Sequence, residues 1–340
     1  MRVLFYGTPE FAVPSLMALV GEGFDVVGVV TRPDAPTGRH RSAATPSPVK
    51  LAAIDEDIPV FEPAKPSAPE FIAQMQALAP DVAVVAAYGH ILKPDLLAVP
   101  ARGSWNVHAS LLPKLRGAAP IERAILEGHN ETGISIMRME AGLDTGPVLH
   151  AVSTPIEGDE TGGELRVRLA ELGALALIEA LTLMDEESGA QAKPQDNTAA
   201  TYAAKLTREE ERIDWSEPCA RVARKIRAFD PKPGAWGEIN GRSVKLFGAR
   251  EVSGGRRGTD DAGGRREAGE DAESGRRVED AMADTPVVIP GTVLLAGDKL
   301  VISCGRGAVA VTDVQPAGKA KMTAAAFVNG RGVAAGDVLK

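Results

Sequence analysis

In the first half of the chain, short and nearly unbroken apolar runs alternate with stretches whose apolar residues recur every three or four positions. RVLFYG (2–7), FDVVGVV (24–30) and DVAVVAAYG (81–89) are rich in β-branched residues and bounded by Gly or Pro. Parallel strands buried on both faces read this way. Between them, Glu10–Val20 and Pro69–Leu78 have helical spacing. Strand and helix in alternation predict a doubly wound α/β sheet. Further strands are expected at Ser104–His108, Gly133–Met139 and Val148–Pro155. A long helix is expected from about Gly163 to Asp185, with Leu165, Leu169, Leu172, Leu175, Ala176, Ile178 and Leu183 at helical spacing.

The texture then changes. SGAQAKPQDNTAA (188–200) is small, polar and proline-containing, so 188–206 is expected to link a domain over 1–187 to a second over 207–340. The second domain opens with a helix near Pro218–Ala228. Short strands follow around Ala235–Ile239, Ser243–Leu246, Gly291–Leu295, Leu300–Ser303 and Ala308–Val314, set apart by glycine-rich turns, which suggests a small barrel or sandwich. Residues 253–284 interrupt it with almost no large apolar side chains. Such a stretch cannot bury enough surface to offset its ordering entropy, and a disordered surface insert is expected. It carries both signs of charge, so its arginines are weak evidence of nucleic-acid binding, and a solvated loop is expected.

At 340 residues and 44% hydrophobic content, the chain can support a core in each of two domains. The net charge of −8 excludes a diffuse attraction for polyanions, so any nucleic-acid contact must use a local basic surface. Cys219 and Cys304 stand far apart with no CxxC spacing, which predicts neither a disulfide framework nor a zinc site. The opening MRVLFYGTPEF has no long apolar segment, and no run approaches 18 apolar residues. A soluble cytoplasmic protein with no membrane attachment is expected.

The first strand ends in GTPEF rather than GxGxxG, so no dinucleotide cradle is expected there. Asn106 and His108 lie two apart on a strand and so share one face near its carboxyl end, where open α/β sheets place their ligand crevice. An amide beside a titratable imidazole suits an acyl-type transfer, since the amide can bind a developing oxyanion and the ring can move a proton. The plain alternative is a half-buried strand with satisfied polar groups. Ser110, Leu111, Leu112 and Pro113 would form a stiff apolar corner able to wall a flat heteroaromatic ligand, or simply a proline-ended loop. In GLDTGPVL (142–149), Asp144 could complete the set with Asn106 and His108, or be an ordinary turn residue between glycines.

NVHASLLPKLRGAAPIERAI together with GLDTGPVL resembles the folate-dependent formyltransferases. GTPEFAVPSL, TRPDAPTGR, PSPVK, AYGHIL and ETGISIMRMEAGLDTGPVL extend the resemblance through the first domain. KLTREEERIDWS (205–216), IRAFDPKPGAW (226–236) and QPAGKAKM (315–322) are similar to the branch of that family acting on initiator tRNA. The insert at 253–284 departs from the family pattern.

The resemblance implies a Rossmann-like formyltransferase domain followed by a small, OB-like β-barrel. It implies 10-formyltetrahydrofolate as formyl donor, the free amine of initiator methionyl-tRNA as acceptor, and no metal. Asn106, His108 and Asp144 would be catalytic, and Ser110–Pro113 would line the folate site. Two basic stretches offer a tRNA surface. The loop from Thr31 to Lys50 carries Arg39 and Arg41, and the run from Arg221 to Arg250 carries Arg224 and Lys225. Solvated faces are the alternative for both. No protein partner is implied, and a monomer is expected. Two rival functions remain: the same chemistry on another amine or on water, and a noncatalytic RNA-binding protein reusing the fold.

Overall fold

The computed structural model describes residues 1–36, 44–185, 191–252 and 288–340. Among them, no helix is long and apolar enough to cross a membrane. The chain divides into two compact units. One comprises Met1–Ala124, Asn130–Ile156 and Glu164–Lys205. The other comprises Ile125–His129, Glu157–Gly163 and Leu206–Lys340.

In chain order, the first unit runs β1 (Arg2–Gly7), α1 (Val13–Gly21), β2 (Asp25–Val30), α2 (Pro48–Asp55), β3 (Val60–Phe61), α3 (Pro69–Ala77), β4 (Val82–Ala86) and β5 (Ser104–His108). After these come α4 (Pro120–Glu127), β6 (Glu131–Arg138), β7 (Val148–Pro155) and α5 (Gly162–Asp185). Seven strands form one sheet in the order β7-β6-β5-β4-β1-β2-β3. β5, β4, β1, β2 and β3 are parallel, while β6 pairs antiparallel with β5 and β7 antiparallel with β6. Every residue of β4 and all but the first of β1 are buried, as strands covered on both faces must be.

Helix α2, helix α4 and strand β3 lie outside the predicted elements. α2 begins in a proline-rich stretch that reads as loop. Its Pro48 occupies the first turn, where a missing N–H costs nothing, and the Ser47 hydroxyl accepts from the Lys50 N–H at 3.1 Å. The parallel strands leave their carboxyl-end loops on one edge of the sheet. The loops after β1, β2, β4 and β5 carry GTPEF, TRPDAP, AYGHIL and SLLP.

The second unit contains α6 (Cys219–Phe229), β8 (Trp236–Ile239), β9 (Arg242–Phe247), β10 (Arg250–Val252), β11 (Val293–Ala296), β12 (Leu300–Ser303), β13 (Ala308–Val311), β14 (Asp313–Pro316), β15 (Met322–Thr323) and α7 (Ala324–Asn329). Its strands form two antiparallel sheets, β8-β9-β14-β15 and β10-β13-β12-β11. Two stretches of chain pass from one sheet into the other. β9 leads into β10 through Gly248 and Ala249, and β13 leads into β14 through Thr312. Strands that switch sheets make the corners of a small orthogonal barrel.

Both bends fall at the same point. Gly248 has φ +62°, and a Cβ there would lie 2.2 Å from Thr312 Oγ1, so only glycine fits the corner. Apolar periodicity across Ala308–Val314 hides this break, because the residues on either side remain buried. Phe229, Phe247, Ile302, Val309, Val311 and Val314 supply much of the unit's core. The expected insert at 253–284 lies outside the described residues.

Candidate active site

β5 alternates its side chains across the sheet, so Asn106 and His108 share a face at the carboxyl end of a parallel strand. Asn106 sits opposite Val85 of β4 and Met137 of β6, and His108 sits opposite Ser135 of β6. Asn106 is half-buried, and its amide makes no side-chain hydrogen bond among the described residues. It is therefore free to bind something else.

His108 is 5% exposed and makes two directed contacts. Nε2 lies 3.0 Å from the peptide oxygen of Leu115, and Nδ1 lies 3.9 Å from Asp144 Oδ2. A peptide oxygen can only accept, so Nε2 carries a hydrogen in both the neutral and the protonated ring. Nδ1 is left as the variable nitrogen. Its separation from Asp144 exceeds a direct hydrogen bond, which leaves room for Nδ1 to engage a third atom while the carboxylate stays alongside.

The loop from 109 to 119 builds the rest of the site. Ser110 is fully buried, and its hydroxyl donates to the Lys114 carbonyl at 2.6 Å. Ser135 Oγ donates to the Ser110 carbonyl at 2.7 Å and accepts from the Leu112 N–H at 3.0 Å. The corner is thereby pinned to the sheet. Leu111, Leu112 and Pro113 are half-buried, while the Ser110 side chain faces inward.

Leu115 and Asp144 both adopt left-handed backbone conformations, with φ +57° and +51°. Gly117 has φ +119°, and a Cβ on it would come 2.7 Å from the Ala203 oxygen. Its N–H donates to Asp144 Oδ2 at 2.8 Å. The glycine lets this backbone pack against Ala203, and from there its N–H holds the carboxylate beside His108.

Sequence reasoning missed the segment after α5. Val148 and Lys193 exchange backbone hydrogen bonds of 2.9 and 2.8 Å. Tyr202–Ala203 pairs parallel with Arg116–Gly117, and Thr201 Oγ1 accepts from the Leu115 N–H at 2.9 Å. Gln195 and Asn197 contact the Arg116 guanidinium. Within the residues expected to form a linker, 193–203 thus support the loop that carries the Leu115 carbonyl. A polar run such as PQDN has no apolar periodicity to reveal this, because the contacts are hydrogen bonds to backbone.

The basic residues fare unevenly. Arg39 and Arg41 lie outside the described residues. At the described base of that loop, Lys50 donates to Asp34 and Glu62, each at 2.7 Å, and these bonds raise its pKa. In the second unit, Arg224 is half-buried against Gly128. Lys225 Nζ donates to the Arg212 carbonyl at 2.9 Å, and burial lowers its pKa. Arg227 is buried and donates to the Glu160 carbonyl at 3.1 Å, while Arg250 pairs with Asp159 at 2.7 Å. Arg221 pairs with Glu217 at 3.2 Å. Lys232 and Arg242 are exposed. The run of cations in the sequence is thus largely engaged within the fold.

Comparison with known proteins assigns both units. A family model described as "Formyl transferase" matches residues 1–181, and one described as "Formyl transferase, C-terminal domain" matches residues 205–332. The chain is 44% identical over 332 residues to a methionyl-tRNA formyltransferase of Xanthomonas campestris pv. campestris, covering 97% of this chain and 98% of that one. It is also 44% identical over 340 residues to one of Thiobacillus denitrificans, covering 100% and 99%. Among solved structures, HypX of Aquifex aeolicus in complex with tetrahydrofolic acid has a similar fold. The TM-score is 0.60 at 18% identity, covering 96% of this chain and 47% of HypX.

Proposed function

The chain belongs to the methionyl-tRNA formyltransferase family, and on that premise we propose how its residues transfer a formyl group to the free amine of initiator methionyl-tRNA for translation initiation. The donor is 10-formyltetrahydrofolate. The apolar corner of Leu111, Leu112 and Pro113 walls its pterin, and Ser110 shapes that corner from beneath. A half-buried amide without a partner, beside an apolar wall, fits a flat ligand that presents one carbonyl oxygen.

The acceptor amine adds to the formyl carbon, and the formyl oxygen gains negative charge. Asn106 donates its amide N–H to that oxygen. His108, protonated on Nδ1, supplies a second donor. Both interactions strengthen as charge develops, so they lower the barrier rather than merely bind substrate. Asp144, whose carboxylate lies beside Nδ1 before the reaction, takes the proton lost by the attacking amine directly or through one water. Collapse of the intermediate breaks the bond to the folate nitrogen, which takes the proton that Asp144 received from the amine and leaves as tetrahydrofolate.

The observation that carries this reading is the contact set of His108. With Nε2 committed to Leu115, all proton chemistry of the ring runs through Nδ1, which faces Asp144. The division of labour follows the two units: the first, which extends to Lys205, catalyses, and the second supports the tRNA. Arg39 and Arg41 enter the acceptor stem, with Arg224 and Lys225 on the second unit. The enzyme acts as a cytoplasmic monomer, and a solvated substrate such as charged tRNA needs no membrane.

Measuring tetrahydrofolate release with charged initiator tRNA, with glycinamide ribonucleotide, and with no acceptor tests the proposal. Release with the charged tRNA alone is expected. Faster release with the small amine would assign the other acceptor class, and equal release without acceptor would make the protein a hydrolase.

A further inference from the structure

Arg116 is one of the largest fully buried side chains of the protein, 2% exposed, and it carries a charge that cannot be removed at ordinary pH. Among the described residues, every partner of its guanidinium is an amide oxygen. Nε and Nη2 donate to Gln195 Oε1 at 3.0 and 2.7 Å, and Nη2 also donates to Asn197 Oδ1 at 2.9 Å. A buried cation matched only by neutral dipoles is costly to keep, which points to a use beyond packing.

The orientation of Gln195 is fixed without ambiguity. Arginine can only donate, so the oxygen of the amide must face Arg116. The amide nitrogen then faces two peptide oxygens, which can only accept. Nε2 lies 2.9 Å from the Asp144 carbonyl and 2.7 Å from the Gly146 carbonyl. All four hydrogen-bonding sites of this side chain are used, two on the cation and two on the loop that carries Asp144.

We infer that Gln195 is a positioning residue for Asp144, keyed by the buried charge of Arg116. This inference rests on Asp144 being a catalytic carboxylate, as proposed above. Asp144 sits in the left-handed region at φ +51°, a conformation that needs support from its surroundings. Gln195 grips the backbone of that residue and of Gly146, on either side of Thr145. Gly117 N–H fixes the carboxylate from the other side. Arg116 polarises the amide of Gln195, which strengthens both N–H donations. Arg116 also precedes Gly117 in the chain, so one short segment sets the backbone and the carboxylate of Asp144 together.

The test compares Gln195→Ala and Gln195→Glu in wild-type and Asp144→Asn backgrounds, using full-length protein, charged initiator tRNA and 10-formyltetrahydrofolate. Gln195→Glu keeps an oxygen for Arg116, so it keeps the buried cation paired, but it loses both donors to the Asp144 loop. Both variants are expected to lower kcat by ~10–100-fold, the usual range for a residue that orients a reacting group, with donor KM within ~2-fold. Gln195→Glu is expected to melt close to the wild type. In the Asp144→Asn background, Gln195→Ala should cost less than ~3-fold, because the group it positions is already disabled.

The positioning role is overturned if either variant keeps half of the wild-type kcat, or if Gln195→Ala costs the same factor in both backgrounds. Loss of turnover in both variants accompanied by a collapsed melt and lost binding of 5-formyltetrahydrofolate would also overturn it, in favour of a purely structural role. Near-normal turnover of Asp144→Asn alone would instead remove the proposed role of Asp144 itself, so the two failures are distinguishable.

Discussion

The ring Nε2 of His108 is hydrogen-bonded to the Leu115 peptide oxygen at 3.0 Å, and this contact selects which nitrogen faces Asp144. Leu115 reaches that position only by adopting φ +57°, and Thr201 and Ala203 hold the segment there through hydrogen bonds to its backbone. The tautomer of the histidine is thus set by backbone geometry. With the ring neutral, Nε2 should show the nitrogen chemical shift of a protonated ring nitrogen and Nδ1 that of an unprotonated one, read by NMR of nitrogen-15-labelled histidine. The reverse pattern would require a different route for the proton.

Catalysis should fail without loss of folate binding when any member of the triad is removed. Asn106→Ala and His108→Ala are each expected to lower kcat by ~10²–10⁴, about 3–5 kcal/mol of transition-state stabilisation, because both act on charge formed during reaction. Asp144→Asn should be comparably harmful and should change the pH profile of kcat/KM. Steady-state kinetics beside equilibrium binding of 5-formyltetrahydrofolate separates the two effects. A variant with near-normal turnover would remove that residue from the mechanism.

Much of this site was legible in the sequence, for a physical reason. β5 alternates strictly, so two polar residues two apart must share a face, and an apolar run ended by glycine must be a buried strand. Asp144 was placed by its glycine-flanked turn and by resemblance. What stayed hidden acts through backbone atoms or through polar side chains without periodicity. The carbonyl of Leu115 has no sequence signature, and Gln195 looks like any other glutamine in a polar stretch. Ser135, which pins the SLLP corner, is a small residue in a buried strand and reads as filler. In the second unit, the corner at Thr312 is invisible because the strand stays apolar on both sides of it.

Cys304 offers a separate check on the core of the second unit. Burial, with a smaller contribution from the neighbouring Cys219, pushes its thiol up from an ordinary 9.0 to about 12. At pH 8 the thiolate fraction should fall by about a thousandfold, and alkylation by iodoacetamide should slow accordingly until the protein is unfolded. The folded-state pKa lies above the unfolded one. The contribution to stability is therefore full below pH 9 and is lost as pH rises towards about 12. Rapid labelling of Cys304 in the native protein would show that this core opens readily.

Deleting Gly254–Ala283 should leave folding and formyl transfer nearly intact. The segment has no apolar periodicity to bury. β10 and β11, which flank it, are the two edges of one four-stranded sheet, so the remaining chain must cross three strand spacings, about 14 Å. Residues 253 and 284–287, which remain between the described ends, can span roughly 17 Å when extended, and the turn at 288–292 carries the chain on into β11. A broadened melt or loss of most activity would show that the segment packs against the barrel.

An acidic protein that binds tRNA must do so through a local surface. The net charge is −8, and most cations of the run from Arg221 to Arg250 already have partners within the fold. Lys225 is tied to the Arg212 carbonyl, and Arg224 is half-buried, so each can contribute at most part of its charge to a phosphate. Charge reversal at Arg224 should weaken tRNA binding and reduce its salt dependence by about one unit of slope for each phosphate no longer neutralised. Reversal at Lys225 should do the same and also lower Tm, because it breaks an internal bond. Arg39, next to Gly38 in the loop, should behave differently. Its planar guanidinium can bond a phosphate or a base edge in two places at once, which fixes the acceptor end rather than merely attracting it. Arg39→Ala is therefore expected to cut kcat/KM on charged tRNA while binding of 5-formyltetrahydrofolate stays normal, since misplacing the amine costs rate more than affinity. Unchanged kcat/KM for Arg39→Ala would remove that loop from acceptor recognition, whatever the variants of the second unit show.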